Sequence, residues 1–115
     1  LDELRPTLSV NLPKAGRNEA LTLIRIGMHD YYSGLDENTF EVRFDFKIDG
    51  LPAGQNAATK FKKSNQGVWE WQLSDPIQSL TEGNLNVSVK DRQGNLVRLD
   101  RRFSIAARTA QVDRE

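Results

Sequence analysis

The chain has 115 residues and no cysteine, and its sixteen Lys and Arg are balanced by sixteen Asp and Glu. This length suits one domain with one modest core, and the missing cysteines exclude disulfides, thiolate metal sites and cysteine nucleophiles. Zero net charge supplies no global field for nucleic acid or an anionic membrane, and no apolar run approaches the ~20 residues of a membrane helix, so neither nucleic-acid binding nor membrane insertion is expected.

Thr7 to Leu12 alternates as Leu8, Val10 and Leu12 between Pro6 and Pro13. This predicts a short strand at a sheet edge, where proline is tolerated. Lys14 to Asn18, KAGRN, has turn composition. Ala20 to Ile26 carries Leu21, Leu23, Ile24 and Ile26, which predicts a second strand buried on part of both faces. Gly27 to Asn38, GMHDYYSGLDEN, reads as a long connection. Phe40, Val42, Phe44, Phe46 and Ile48 then alternate with Glu41, Arg43, Asp45 and Lys47. A period of two puts the apolar groups on one face and the charges on the other, so this strand needs a second layer to cover it.

After the Asp49-Gly50 turn, Ala57 to Lys62 predicts a fourth strand anchored by Phe61. Val68 to Leu73 predicts a fifth, with Trp69, Trp71 and Leu73 on one face. Asp75 to Gly83, DPIQSLTEG, predicts one helical turn with Pro76 near its start, delivering Ile77 and Leu80 to the core. Asn84 to Ile105 predicts a β-hairpin: Leu85, Val87 and Val89 face one way on its first strand, Val97, Leu99, Phe103 and Ile105 supply the second, and Asp91, Gly94 and Asn95 make the turn. Asn86-Val87-Ser88 fits the glycosylation sequon but falls inside a predicted strand, which marks it as accidental.

These elements amount to an all-β, two-layer antiparallel β-sandwich of about seven strands. Residues 1–6 form an N-terminal extension, residues 7–105 the sandwich, and residues 106–115 a polar C-terminal tail.

The L-x-x-G step from Leu80 to Gly83, the phrase VSVKDRQGN from Val87 to Asn95 and the returning strand to Ile105 resemble bacterial immunoglobulin-like and fibronectin type III-like modules. The resemblance covers about Thr7 to Ile105 and implies that the sandwich is an immunoglobulin-like antiparallel one. It departs from antibody domains, since the cysteine pair is absent and Asn84 and Leu85 stand where many such modules carry a corner tyrosine. It implies a non-catalytic structural or protein-interaction module excised from a larger multidomain bacterial protein. The implied location is extracellular, cell-surface or periplasmic, and the implied partners are neighbouring domains or another protein. The alternative is a carbohydrate-binding accessory domain of a secreted enzyme, with a glycan as partner. Fold does not fix function, so both are analogies.

The Gly27 to Asn38 segment holds the only His, the only Met and both Tyr of the chain. If anything binds a ligand here, His29, Tyr31 and Tyr32 are the candidates. A calcium reading of the same segment uses Asp30, Asp36 and Glu37; the competing and favoured reading is a self-packed loop, because these acids lack EF-hand spacing. No cofactor is implied. His29 has no cysteine, second histidine or Ser-centred motif beside it, so neither a metal site nor acyl transfer is expected. Trp69 and Trp71 could stack on sugar rings, but sharing a face with Leu73 favours the core. The basic positions Lys60, Lys62 and Lys63, and Arg98, Arg101 and Arg102, read as solvated sheet faces. The sheet edges remain as places where a partner strand could add by β-augmentation.

Overall fold

A computed structural model describes residues 6–30 and 34–106. Eight strands are present: β1 (Thr7–Leu12), β2 (Gly16–Asn18), β3 (Leu21–His29), β4 (Leu35–Phe44), β5 (Lys62–Asn65), β6 (Val68–Ile77), β7 (Ser79–Asp91) and β8 (Leu96–Ala106). They form two four-stranded sheets, one ordered β1-β3-β6-β5 and the other β2-β8-β7-β4. With β2 taken as an extension of β1, the first sheet contains strands 1, 2, 5 and 4 in chain order and the second contains 3, 6 and 7. This is the strand order of a constant-type immunoglobulin sandwich.

Alternation decides which side of each sheet is dry. On β4, Phe40, Val42 and Phe44 are buried while Glu41 and Arg43 are exposed; Leu85, Val87 and Val89 on β7 and Ile24, Ile26 and Met28 on β3 close the same core. Aromatic rings join the two layers. Phe40 of the second sheet lies 6.3 Å from Trp69 of the first, Phe44 lies 6.2 Å from Trp71, and Phe61 meets Trp71 edge-on at 5.9 Å. Such contacts contribute about 0.5–1.5 kcal/mol each beyond simple burial. Trp69 and Trp71 are 6% and 5% exposed, so they are core residues.

Four sequence expectations change. KAGRN is not only a turn: Gly16–Asn18 pairs in parallel with Phe103, Ser104 and Ile105 of β8, adding the eighth strand. The pairing follows the passage from β1 to the second sheet at Pro13, and Asn18 stabilises it by donating from Nδ2 to the carbonyls of Lys14 and Gly16. Ala58–Lys60 is a 3-10 turn, and the strand starts only at Lys62, because the Asn56 side chain accepts the N–H groups of Val42 and Ala58 and holds the segment across β4. The alternation from Phe40 to Ile48 persists in burial, yet β4 ends at Phe44. There Asp45 leaves the ladder to exchange hydrogen bonds with Asn84, its N–H meeting the Asn84 carbonyl at 3.1 Å and its carboxylate accepting the Asn84 N–H at 2.8 Å.

The fourth change concerns Asp75 to Gly83, which forms no helical turn. β6 runs to Ile77 and β7 begins at Ser79. Asp49 explains how the end of β6 is satisfied: its carboxylate accepts the N–H groups of Ser74 and Asp75, both at 2.9 Å. Asp49 and Gly50 both have positive φ, and Ile48 and Leu51 exchange backbone hydrogen bonds around them, the two-residue hairpin geometry that Asp-Gly favours.

Candidate functional site

The β3–β4 connection and the β7–β8 turn meet at one end of the sandwich. The 27–38 segment is shorter as a loop than the sequence suggests, because Gly27, Met28 and His29 belong to β3 and Leu35 to Asn38 belong to β4. Tyr31 and Tyr32 lie outside the described residues. Across the gap between the loops, the Arg92 N–H donates to the Gly34 carbonyl at 3.0 Å.

Asp91 organises this end. It is 2% exposed, and its carboxylate accepts the N–H groups of Gln93 and Asn95 and the Asn95 side-chain amide at 2.8–2.9 Å. Burial by itself pushes its pKa up. Hydrogen bonds donated by the side chain and backbone of Asn95 and the backbone of Gln93, with a lesser effect of the neighbouring Asp30 side chain, outweigh it and hold the carboxyl below its ordinary 3.8.

The structure scatters the other candidates. Asp30 lies between the loops, where its carboxylate also accepts the Gly34 N–H at 3.3 Å. Asp36 sits opposite Lys90 on β7 and accepts the Asn38 N–H, while Thr39 donates to the Asp36 carbonyl and accepts the Lys90 N–H. Glu37 instead reaches the first sheet, 3.7 Å from Lys63. His29 ends β3 opposite Thr7, whose hydroxyl donates to the His29 carbonyl. Asp30, Asp36 and Glu37 therefore serve three separate local networks, and among the described residues no group of three His, Cys, Asp or Glu is placed to hold a metal ion.

Sequence reasoning missed two features. Arg101 is not part of a solvated face; it reaches from β8 to carbonyls of Val10 and Pro13. Its signal was phase, since it shares the parity of Leu99 and Phe103 and so points inward. The second is the edge strand β5, whose residues are all exposed. Lys63 of this strand lies over the Trp69 ring, 5.3 Å from its centre. Beside β5 a groove of about 450 Å³ is lined by Leu23, Lys60, Lys62, Trp71 and Gln72 among others.

No protein-family model and no curated protein sequence matches the chain. Solved structures do resemble it. An endo-β-1,4-mannanase from Thermotoga petrophila matches over 90% of this chain and 20% of its own, at TM-score 0.62 and 14% identity. CopC from Methylosinus trichosporium OB3b matches over 90% of this chain and 96% of its own, at 0.60 and 9%. Dimeric latent PorU from Porphyromonas gingivalis matches over 95% of this chain and 11% of its own, at 0.60 and 17%. At these identities the likeness is one of fold. The fold stands almost alone in one of these chains and forms a small part of the other two.

Proposed function

We propose that this chain is a non-catalytic structural or protein-interaction module of a larger exported bacterial protein. The observation that carries this reading is how the aspartates are used. Asp36, Asp45, Asp49 and Asp91 each accept backbone N–H groups at strand ends or turns, so they act as fasteners of the framework. Asp91, whose carboxylate takes three N–H donors and is held below the usual carboxylate range, is thereby a stable anion and a poor general acid.

The occurrence of similar folds within a mannanase chain and a PorU chain fits a module that larger proteins reuse. For the alternative, a glycan-binding accessory domain, the burial of Trp69 and Trp71 removes the aromatic platform that the sequence offered within the strands. The deciding experiment pairs selection from a displayed random-peptide library with a glycan array. Saturable peptide ligands and no saturable glycan are expected. Saturable glycan hits without peptide ligands would replace this reading with the carbohydrate one.

A further inference from the structure

We propose that β5 is a docking edge for an extended acidic segment of another protein, which adds to the first sheet as a fifth strand beyond β5. This names the kind of partner and rests on the interaction-module reading above.

Three observations converge on this edge. First, β5 ends the sheet order and has a strand on one side only, with every residue from Lys62 to Asn65 exposed. It pairs with β6 only from Val68 to Glu70, so among the described residues β6 has no strand on the β5 side from Trp71 onward. The groove of about 450 Å³ lies beside this gap. An added strand gains main-chain hydrogen bonds along such an edge and seats alternate side chains in such a groove.

Second, the edge is locally cationic in a chain with zero net charge. Glu70, which lines the groove and stands opposite Lys62 in the ladder, is held by Arg25 at 2.6 Å. Glu37 reaches only Lys63. Among the ion pairs of the described residues, neither Lys60 nor Lys62 has a partner. Carboxylates on an incoming strand would supply it.

Third, the same charges select against other occupants. A second copy adding antiparallel over the whole of β5 would set Lys62 and Lys63 against Asn65 and Ser64 and so bring no carboxylate to the lysines, while a parallel copy would oppose lysine to lysine directly, which destabilises a strand pair. A nucleic acid draws on many phosphate contacts and a broad basic surface, whereas here two lysines without an ion-pair partner among the described residues stand at one end of a four-residue strand. A short acidic β-strand matches both the size and the sign.

The test uses the intact chain, labelled with 15N and titrated with a twelve-residue peptide of alternating glutamate and threonine. A glutamine-threonine peptide and a sulfated polysaccharide serve as parallel probes. Amide shifts are expected at Lys62 to Asn65 and at Trp71 to Leu73 with the acidic peptide alone. The double variant K60E/K62E, changed only at two exposed positions and checked for unaltered melting, is expected to bind roughly tenfold more weakly or worse. Equal binding of the glutamine peptide, shifts confined to other parts of the chain, tighter binding of the polysaccharide, or an unaffected double variant would each overturn the proposal. If acidic peptides fail while library selection still yields peptides that bind elsewhere, β5 is excluded as the docking edge and the wider interaction-module reading stands.

Discussion

The guanidinium of Arg101 on β8 donates to the carbonyl of Val10 on β1 at 3.0 Å and, from the same nitrogen, to that of Pro13 at 3.2 Å. The two strands belong to opposite sheets. Arg101 therefore fastens the layers at the side where β1 passes over to β2, taking up the carbonyl of Val10 at the β1 register shift and that of Pro13 just past the end of β1. Hydrogen bonds from a charged donor contribute about 1.5–3 kcal/mol when well buried, and partial exposure here reduces that. Arg101→Met is expected to lower unfolding stability by about 1–2 kcal/mol in a urea titration, whereas Arg98→Met on the solvated face should change it by less than about 0.5 kcal/mol. Equal effects would remove the fastening role.

Gly83 explains the L-x-x-G step. A Cβ there would stand 2.6 Å from Leu80 Cδ2 and 2.7 Å from Phe46 Cε1, since both side chains close over the strand at its register shift. Gly83→Ala should destabilise the domain by about 1–3 kcal/mol through overpacking. Gly54→Ala is an unsuitable comparison because that glycine has φ of +83°. A melting temperature for Gly83→Ala equal to the parent's would show that the two side chains move aside freely.

Which parts of this were legible in the sequence follows from what period-two alternation encodes. It reports which face is dry, so the inner residues of β4, β6, β7 and β8 and the two-layer architecture could be read directly. It does not report where a strand leaves its ladder. The end of β4 at Phe44 depends on Asp45 meeting Asn84, thirty-nine positions away, and the strand character of residues 75–83 depends on distant pairing, of Ile77 with Leu21 and of Ser79, Leu80 and Gly83 with β8. The same limit applies to the candidate site. Asp30, Asp36 and Glu37 are near neighbours in sequence, but their partners are Asp91, Asn38 and Lys63, and only the fold shows that they diverge.

Asp91 gives the domain a defined acid sensitivity. Its folded-state pKa lies below the ordinary 3.8, so its contribution to stability is complete above that value and is lost as the pH falls from there through the lower folded-state pKa. Asp91→Asn should melt at a lower temperature than the parent at neutral pH. The difference should hold down to about pH 4 and narrow below it. A difference that widens on acidification would contradict this hydrogen-bonding account of the carboxylate.

Trp71 anchors the aromatic contact between the layers, meeting Phe44 and Phe61 edge-on. Tryptophan emission should be blue-shifted and resistant to iodide. Trp71→Ala should cost about 3–5 kcal/mol, enough to unfold a marginal domain, and Trp71→Phe should cost clearly less. Quencher-accessible emission in the folded chain would contradict the core placement.

We propose that the sandwich presents its edges to another protein and carries no chemistry of its own. Amide-shift mapping with the best peptide from library selection, run beside the best glycan from the array, tests it most directly. The account predicts saturable shifts from the peptide along a sheet edge, an unperturbed core and no saturable shifts from the glycan. Saturable shifts from the glycan with none from the peptide would contradict it.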